Sequence, residues 1–244
     1  MIAIDEAHTL AIEAGQDILH VVQRLRYKEQ PVVLLLAGTP DLPRHLNSME
    51  ASFWDRSEIL PLGLLEPEAA ASAIRTPMEA EGRAISDEAL TRVVAESHGY
   101  PFFLQLWGRL LWTGMSDAAL PASLGDVDRA SPLFQKARNR YYRNRHAELR
   151  RAKLAFVAAK LSLAFMDTDE LTDLEVDEAI RLALETEGRT ADTDAVMAAC
   201  DRLHDLGYIW SAGDETRPRF LPGIPSLMQY MARSRDLDVG PDAV

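Results

Sequence analysis

Asp5 and Glu6 are the first side chains along this sequence whose types and placement could do chemistry. They follow Ile2-Ala3-Ile4, a short, apolar and partly β-branched run that reads as a buried strand. An acidic pair just past the C-terminal end of a parallel strand lies where open α/β sheets place their ligands. Carboxylates at such a place have the chemistry to take a hard cation or to accept a proton from water. Two acids that merely begin a surface loop are the competing reading, and the surrounding elements must decide between them.

A second stretch with chemical character is KARNRYYRNRHAELRRAK, from Lys136 to Lys153. It holds eight Lys or Arg against one acid, Glu148, with Tyr141 and Tyr142 interleaved. Arg143, Arg145, Arg150 and Arg151 are the candidates for contacts to nucleic-acid phosphates, which would be salt-dependent. The alternative is a solvated helix that answers an acidic remainder by attraction. Residues 1–135 carry 10 basic and 19 acidic side chains, so the alternative has substance. Cys200 is the single cysteine, which leaves no intramolecular disulfide and suits a reducing cytosol. It reads as a core thiol.

The whole chain has 244 residues and a formal charge of −12. That balance argues against a surface that clings everywhere to nucleic acid or anionic lipid, though it allows a local basic patch. The longest apolar run, Val32 to Ala37, is far too short to span a bilayer. The N-terminus has no basic n-region, and Asp5 and Glu6 interrupt its apolar residues at once. A soluble cytoplasmic protein without a membrane partner is the expectation.

The elements that must position Asp5 and Glu6 read as α/β. From Gln16 to Tyr27, Ile18, Leu19, Val22 and Leu25 recur at helical spacing, and Pro31 follows. Val32–Ala37 is an unbroken apolar run of the kind found in parallel strands buried on both faces, and Ile59-Leu60-Pro61-Leu62 is a third short candidate. Strand, helix and strand with short connections make a right-handed βαβ unit. From Glu66 to Met115 the pattern is helical: Pro67–Arg75, broken near Pro77, then a helix capped by Ser86 and closed by Gly99, then one opened by Pro101. Thr113–Pro132 collects Gly, Ser, Asp and Pro and reads as a linker. One long helix is expected from about Gln135 to Phe165, then helices at 174–186 and 193–206. A hairpin through Tyr208–Ala212 and Arg219–Leu221 and a closing helix at 226–233 complete a winged helix. The fold class is therefore α/β followed by all-α. The expected divisions are 1–65 (sheet), 66–115 (helical lid), 116–135 (linker), 136–235 (winged helix with a basic leading helix) and 236–244 (tail).

The order of these pieces resembles the AAA+/STAND group of P-loop NTPases, most closely the bacterial and archaeal ATPases similar to origin-recognition initiators. The resemblance covers Ile2 to about Met231. Ile2–Glu6 is similar to Walker B, and Leu34–Pro40 to the sensor 1 strand, with Thr39 at the polar sensing position. Phe53-Trp54-Asp55-Arg56 is similar to the segment where this group carries an arginine facing a neighbour's γ-phosphate. Gly99-Tyr100-Pro101 resembles the STAND Gly-x-Pro motif, which lies against the nucleotide; no sensor 2 arginine is evident. The resemblance implies ATP and Mg2+, with Asp5 at the metal, Glu6 and Arg56 in catalysis, and Thr39, Gly99, Tyr100 and Pro101 at the nucleotide. Each has a plainer alternative: Thr39 as a turn cap, Arg56 as a surface cation, Gly99-Tyr100-Pro101 as a helix–turn–helix corner. Asp5-Glu6-Ala7-His8 is also similar to the DEAH tetrapeptide of helicases, but no Ser-Ala-Thr motif and no second motor follow. His8 then reads as a loop or helix-start histidine.

The phosphate cradle of this group, Gly-x-x-x-x-Gly-Lys-Ser/Thr, is absent: Lys28, Lys136, Lys153 and Lys160 are the four lysines, and none follows a glycine. In the group it precedes Walker B, so a chain lacking its N-terminal part is the first expectation and a degenerate stand-alone protein the second. Either way, ATP should bind weakly and turn over only if the cradle is supplied. The strand slot beside Val32–Ala37 should be bare, which favours self-association or a protein partner. The other function to weigh is a non-enzymatic winged-helix adaptor for protein contacts or weak DNA contacts. Asp192, Asp194, Asp201 and Asp205 around the third helix of the winged helix oppose groove reading. DNA binding should be non-specific and confined to low salt.

Overall fold

The computed structural model describes residues 1–39, 42–49, 57–60, 62–115, 120–214 and 217–233. The described residues form a mixed α/β chain, mostly helical, with two small sheets. Two compact units share it: Met1–Leu60 with Phe156–Gly223, and Pro61–Ala155 with Ile224–Asp236.

The first unit opens with β1 (Ile2–Ile4), a 3-10 turn (Ala7–Thr9), α1 (Ile12–Tyr27), β2 (Leu34–Leu36) and α2 (Leu42–Asn47). β1 and β2 pair in parallel, with Ile2 opposite Leu34 and Ile4 opposite Leu36. Leu19 of α1 packs with Leu46 and Met49 to form a small core, against which Leu34 and Leu36 rest. Leu35 points the other way and is 50% exposed, beside Val33 at 62%. The run Val32–Ala37 is thus covered on one face only, where its unbroken apolar character predicts two covered faces. No strand forms at Ile59–Leu62 among the described residues, and Ile59, Leu60 and Leu62 are exposed. Pairing would have to come from a neighbouring strand, and the described sheet ends at β1 and β2.

The second unit contains α3 (Pro67–Ala80), α4 (Asp87–Ser97), α5 (Pro101–Gly114) and α6 (Leu124–Arg151). α3 runs through Pro77 instead of breaking there. A proline in the last turn removes one bond of a ladder that is about to end, so little is lost. Ser86 caps α4 by accepting from the Ala89 N–H, as its position in the sequence predicts. α6 begins at Leu124, inside the stretch that reads as a linker. Its start is fixed by a capping box: the Asp126 carboxylate accepts from the Ser123 N–H, and the Ser123 hydroxyl accepts from the Asp126 N–H. It also stops earlier than the single helix to Phe165 that the sequence suggests. Lys153 is left-handed at φ 55°, and the Leu154 N–H turns back to the Leu149 carbonyl at 2.8 Å. That closing bond ends the helix.

The chain then returns to the first unit with α7 (Ala155–Ala164), β3 (Leu171–Thr172), α8 (Asp173–Thr186), α9 (Thr193–Asp205), β4 (Ile209–Asp214) and β5 (Arg217–Pro222). β5 lies between β3 and β4, antiparallel to both. Tyr208 is buried and shares a 2.5 Å hydrogen bond with Ser162 of α7. Finally α10 (Pro225–Ala232) belongs to the second unit, where the Tyr142 hydroxyl of α6 donates to Ser226 Oγ at 2.6 Å. No described helix is long and apolar enough to cross a membrane.

Candidate functional site

Parallel pairing of β1 and β2 brings their C-terminal ends to one edge of the sheet. Asp5 and Glu6 follow β1 there, and Thr39 follows β2. The ladder continues past the strands, with the Ala37 N–H donating to the Ile4 carbonyl at 2.9 Å and the Ala7 N–H to the Ala37 carbonyl at 2.8 Å. The chain then turns sharply at Glu6, a left-handed residue at φ 52°, a conformation that costs a non-glycine residue about 1 kcal/mol. Local bonds hold the turn. The Glu6 N–H donates to Asp5 Oδ1 at 2.9 Å, and the Thr9 hydroxyl donates to the Glu6 carbonyl at 2.8 Å.

His8 joins the two strand ends. Its Nδ1 accepts the Thr39 N–H at 3.3 Å, and its Nε2 lies 3.4 Å from Glu6 Oε2. Glu6, Thr39 and His8 are therefore one cluster. The sequence singled out the first two and passed over the third. The signal that could have found it is the spacing in Asp5-Glu6-Ala7-His8, where a 3-10 turn brings the imidazole back over the glutamate.

Asp5 is exposed and carries a hard oxygen donor of the kind Mg2+ takes. Among the described residues no group of three or more His, Cys, Asp or Glu could form a cage for a metal. Mg2+ needs none, because it usually keeps several waters and takes one or two carboxylates with substrate phosphates. The metal side of the site therefore fits. The phosphate side does not fit on these 244 residues alone, because the glycine-rich loop ending in lysine is missing from them. Arg56 lies outside the described residues.

In the second unit, Gly99 is left-handed at φ 68°, and a Cβ there would come within 2.3 Å of the Leu65 carbonyl oxygen. Its backbone carbonyl accepts the Leu65 N–H at 2.9 Å, so close backbone approach requires glycine at this corner. The Tyr100 ring packs edge-on to Phe103, with centroids 5.2 Å apart. Its hydroxyl shares a 3.0 Å hydrogen bond with that of Tyr141. Burial first, and then the Tyr141 bond, push the Tyr100 hydroxyl well above the usual tyrosine range. Pro101 lines a groove between α3 and α5, together with Ile74, Met78, Leu104 and Trp112.

The basic stretch divides by face. Arg145 is half-buried, donates from Nε to the Tyr141 hydroxyl at 3.2 Å and pairs with Glu148 at 3.0 Å. It therefore serves the structure. Arg143, Arg150 and Arg151 are exposed, as are Lys136 and Arg140. On α9, the Asp192 carboxylate accepts the Ala195 N–H at 2.9 Å and is the helix cap, while Arg202 lies 4.0 Å from Asp205. Burial, followed by Asp177, Asp201 and Asp173, pushes the Cys200 thiol up to about 12, which leaves it inert.

No family model matches the chain, and no curated protein sequence matches it. Among solved structures, the chain is similar to that of Cdc6p from Pyrobaculum aerophilum, with 13% identity and a TM-score of 0.41 over 94% of this chain. The chain spans 65% of the length of that structure. A likeness at this level assigns neither family nor function.

Proposed function

We propose that this chain is an ATP-binding switch protein of AAA+/STAND type without a phosphate-binding loop in residues 1–244, followed by a winged helix, and that it works in the cytoplasm with a protein partner. The observation that carries the reading is the shared strand edge: Asp5 and Glu6 after β1, Thr39 after the parallel neighbour β2. An acidic pair and a hydroxyl at the carboxyl ends of adjacent parallel strands are where such sheets engage ligands. The order β3, α8, α9, β4, β5, with β5 central, supports the winged-helix part.

In this reading Asp5 would hold Mg2+, and Mg·ATP, once a phosphate-binding loop is supplied, would bring the electrophilic phosphorus. Glu6 would be placed to take a proton from water, and Thr39 to offer its hydroxyl to a phosphate oxygen. Arg56 would act on a neighbouring subunit. The phosphate-binding loop is not encoded in residues 1–244, so this chain alone binds Mg·ATP weakly and does not turn it over. Calorimetry tests this directly: no heat is expected from the 244-residue chain, and micromolar binding would refute it. An in-frame Gly-Lys-Ser/Thr in the coding DNA ahead of Met1 supports the reading; stop codons there oppose it.

A second reading, an adaptor that contacts nucleic-acid backbone without nucleotide, draws on α6. Lys136, Arg140, Arg143 and Arg150 recur at helical spacing along about 21 Å of one exposed face. None of the four has an ion-pair partner among the described residues. Such a face would bind phosphates without reading sequence.

A further inference from the structure

We propose that His8 is a positioning residue that ties the Glu6 carboxylate to the backbone of Thr39; this rests on the reading of Glu6 as the water-activating base. The His8 side chain is 18% exposed and Glu6 68%, so the imidazole is the fixed member of the pair. Because the Thr39 N–H donates to Nδ1, that nitrogen must present its lone pair. A neutral imidazole then carries its proton on Nε2, which faces Glu6 Oε2 at 3.4 Å. Gly38 makes the room: a Cβ there would come within 3.1 Å of Nδ1. The Glu6 carboxylate has no other side-chain partner among the described residues.

The consequence is directional. The Glu6 backbone is fixed in its left-handed turn by Thr9, so His8 sets where the carboxylate points. His8 in turn is set by the amide of Thr39. A ligand that draws on Thr39 displaces that amide, and the imidazole carries the displacement to Glu6. Sensing and base orientation are thereby one motion, with no second relay residue required.

The full 244-residue chain, isotope-labelled and studied at a pH of about 8, provides the test. A long-range proton–nitrogen spectrum should show His8 as the Nε2–H tautomer. His8→Asn keeps an acceptor near the Nδ1 position, so exchange of the Thr39 amide should match wild type while the Glu6 carboxyl carbon moves to its free shift. His8→Gln reaches the Nε2 position instead: the Glu6 carbon should keep its wild-type shift and the Thr39 amide should exchange about fivefold faster. Gly38→Ala leaves His8 in the chain but crowds Nδ1, and both signatures should be lost. An Nδ1–H tautomer overturns the proposal. So do Asn and Gln variants that behave alike, as they would if the histidine merely filled space. Failure of the nucleotide reading is a separate result, because loss of Mg·ATP binding in a protein carrying its phosphate loop leaves these spectra unchanged.

Discussion

The hydroxyls of Tyr100 and Tyr141 lie 3.0 Å apart, which ties the residue before α5 to the middle of α6. Arg145 completes the chain by donating to Tyr141, and Glu148 anchors Arg145. Tyr141→Phe removes the hydroxyl they share and leaves the Tyr100 hydroxyl and Arg145 each short of a partner. The expected cost is about 1–2 kcal/mol of unfolding free energy. Denaturant titration of wild type and variant, read by tyrosine and tryptophan fluorescence, checks it.

Two capping boxes should each matter on their own. Ser123→Ala removes the cap of α6, and Thr172→Ala removes that of α8, where the Thr172 hydroxyl and the Glu175 N–H are paired. Each should cost about 1 kcal/mol, the usual effect of a lost serine or threonine cap. Urea midpoints of the two variants, compared at unchanged slope, measure it.

Stability should also fall on the acid side through His98. Burial first, and then Arg138, lower its pKa from 6.5, against an opposing pull from Glu96. A histidine whose folded pKa is depressed binds fewer protons folded than unfolded, so stability rises with pH across that window. The contribution is complete above the unfolded value and is lost as pH falls through the folded one. His98→Asn tolerates the left-handed φ of 50° and cannot titrate. Its melting temperature should drop less than that of wild type between a pH of about 7.5 and about 5.

DNA binding at low salt should follow the exposed face of α6 and ignore α9. About four phosphate contacts from Lys136, Arg140, Arg143 and Arg150 give a log–log salt slope of about −3 to −4 for duplex DNA. Charge reversal at Arg143, Arg150 and Arg151 should abolish binding, and Arg202→Ala should leave it intact, since that side chain sits by Asp205. Anisotropy titrations on random and selected duplexes at two salt concentrations read the difference. Tight, salt-resistant binding to one sequence, lost on Arg202→Ala, would move the contact to α9.

The sequence showed where elements begin better than where they stop. Ser86 before two acids and Pro101 two residues after Gly99 marked helix starts that the structure contains, because caps are local chemistry. The start of α6 was legible too, in Ser123-Leu124-Gly125-Asp126, but neighbouring Pro and Gly made the stretch read as a linker. Its end was not legible, since nothing in Ala152-Lys153-Leu154 forbids a helix; the return of Leu154 to the Leu149 carbonyl is set by tertiary burial of Leu154. At the candidate site, Asp5, Glu6 and Thr39 could be found from their places after apolar runs. For His8 the spacing from Glu6 carried a signal, but its bond to Thr39 did not, because Thr39 is distant in sequence and only the parallel register brings them together.

Hydrolysis of Mg·ATP by Glu6→Gln, in a protein that carries its phosphate-binding loop ahead of β1, tests the central claim most directly. The variant should bind nucleotide as wild type does and turn it over at least about 100-fold more slowly, as loss of a general base requires. Turnover at the wild-type rate would contradict the assignment of Glu6, and with it the reading of this strand edge as a nucleotide switch.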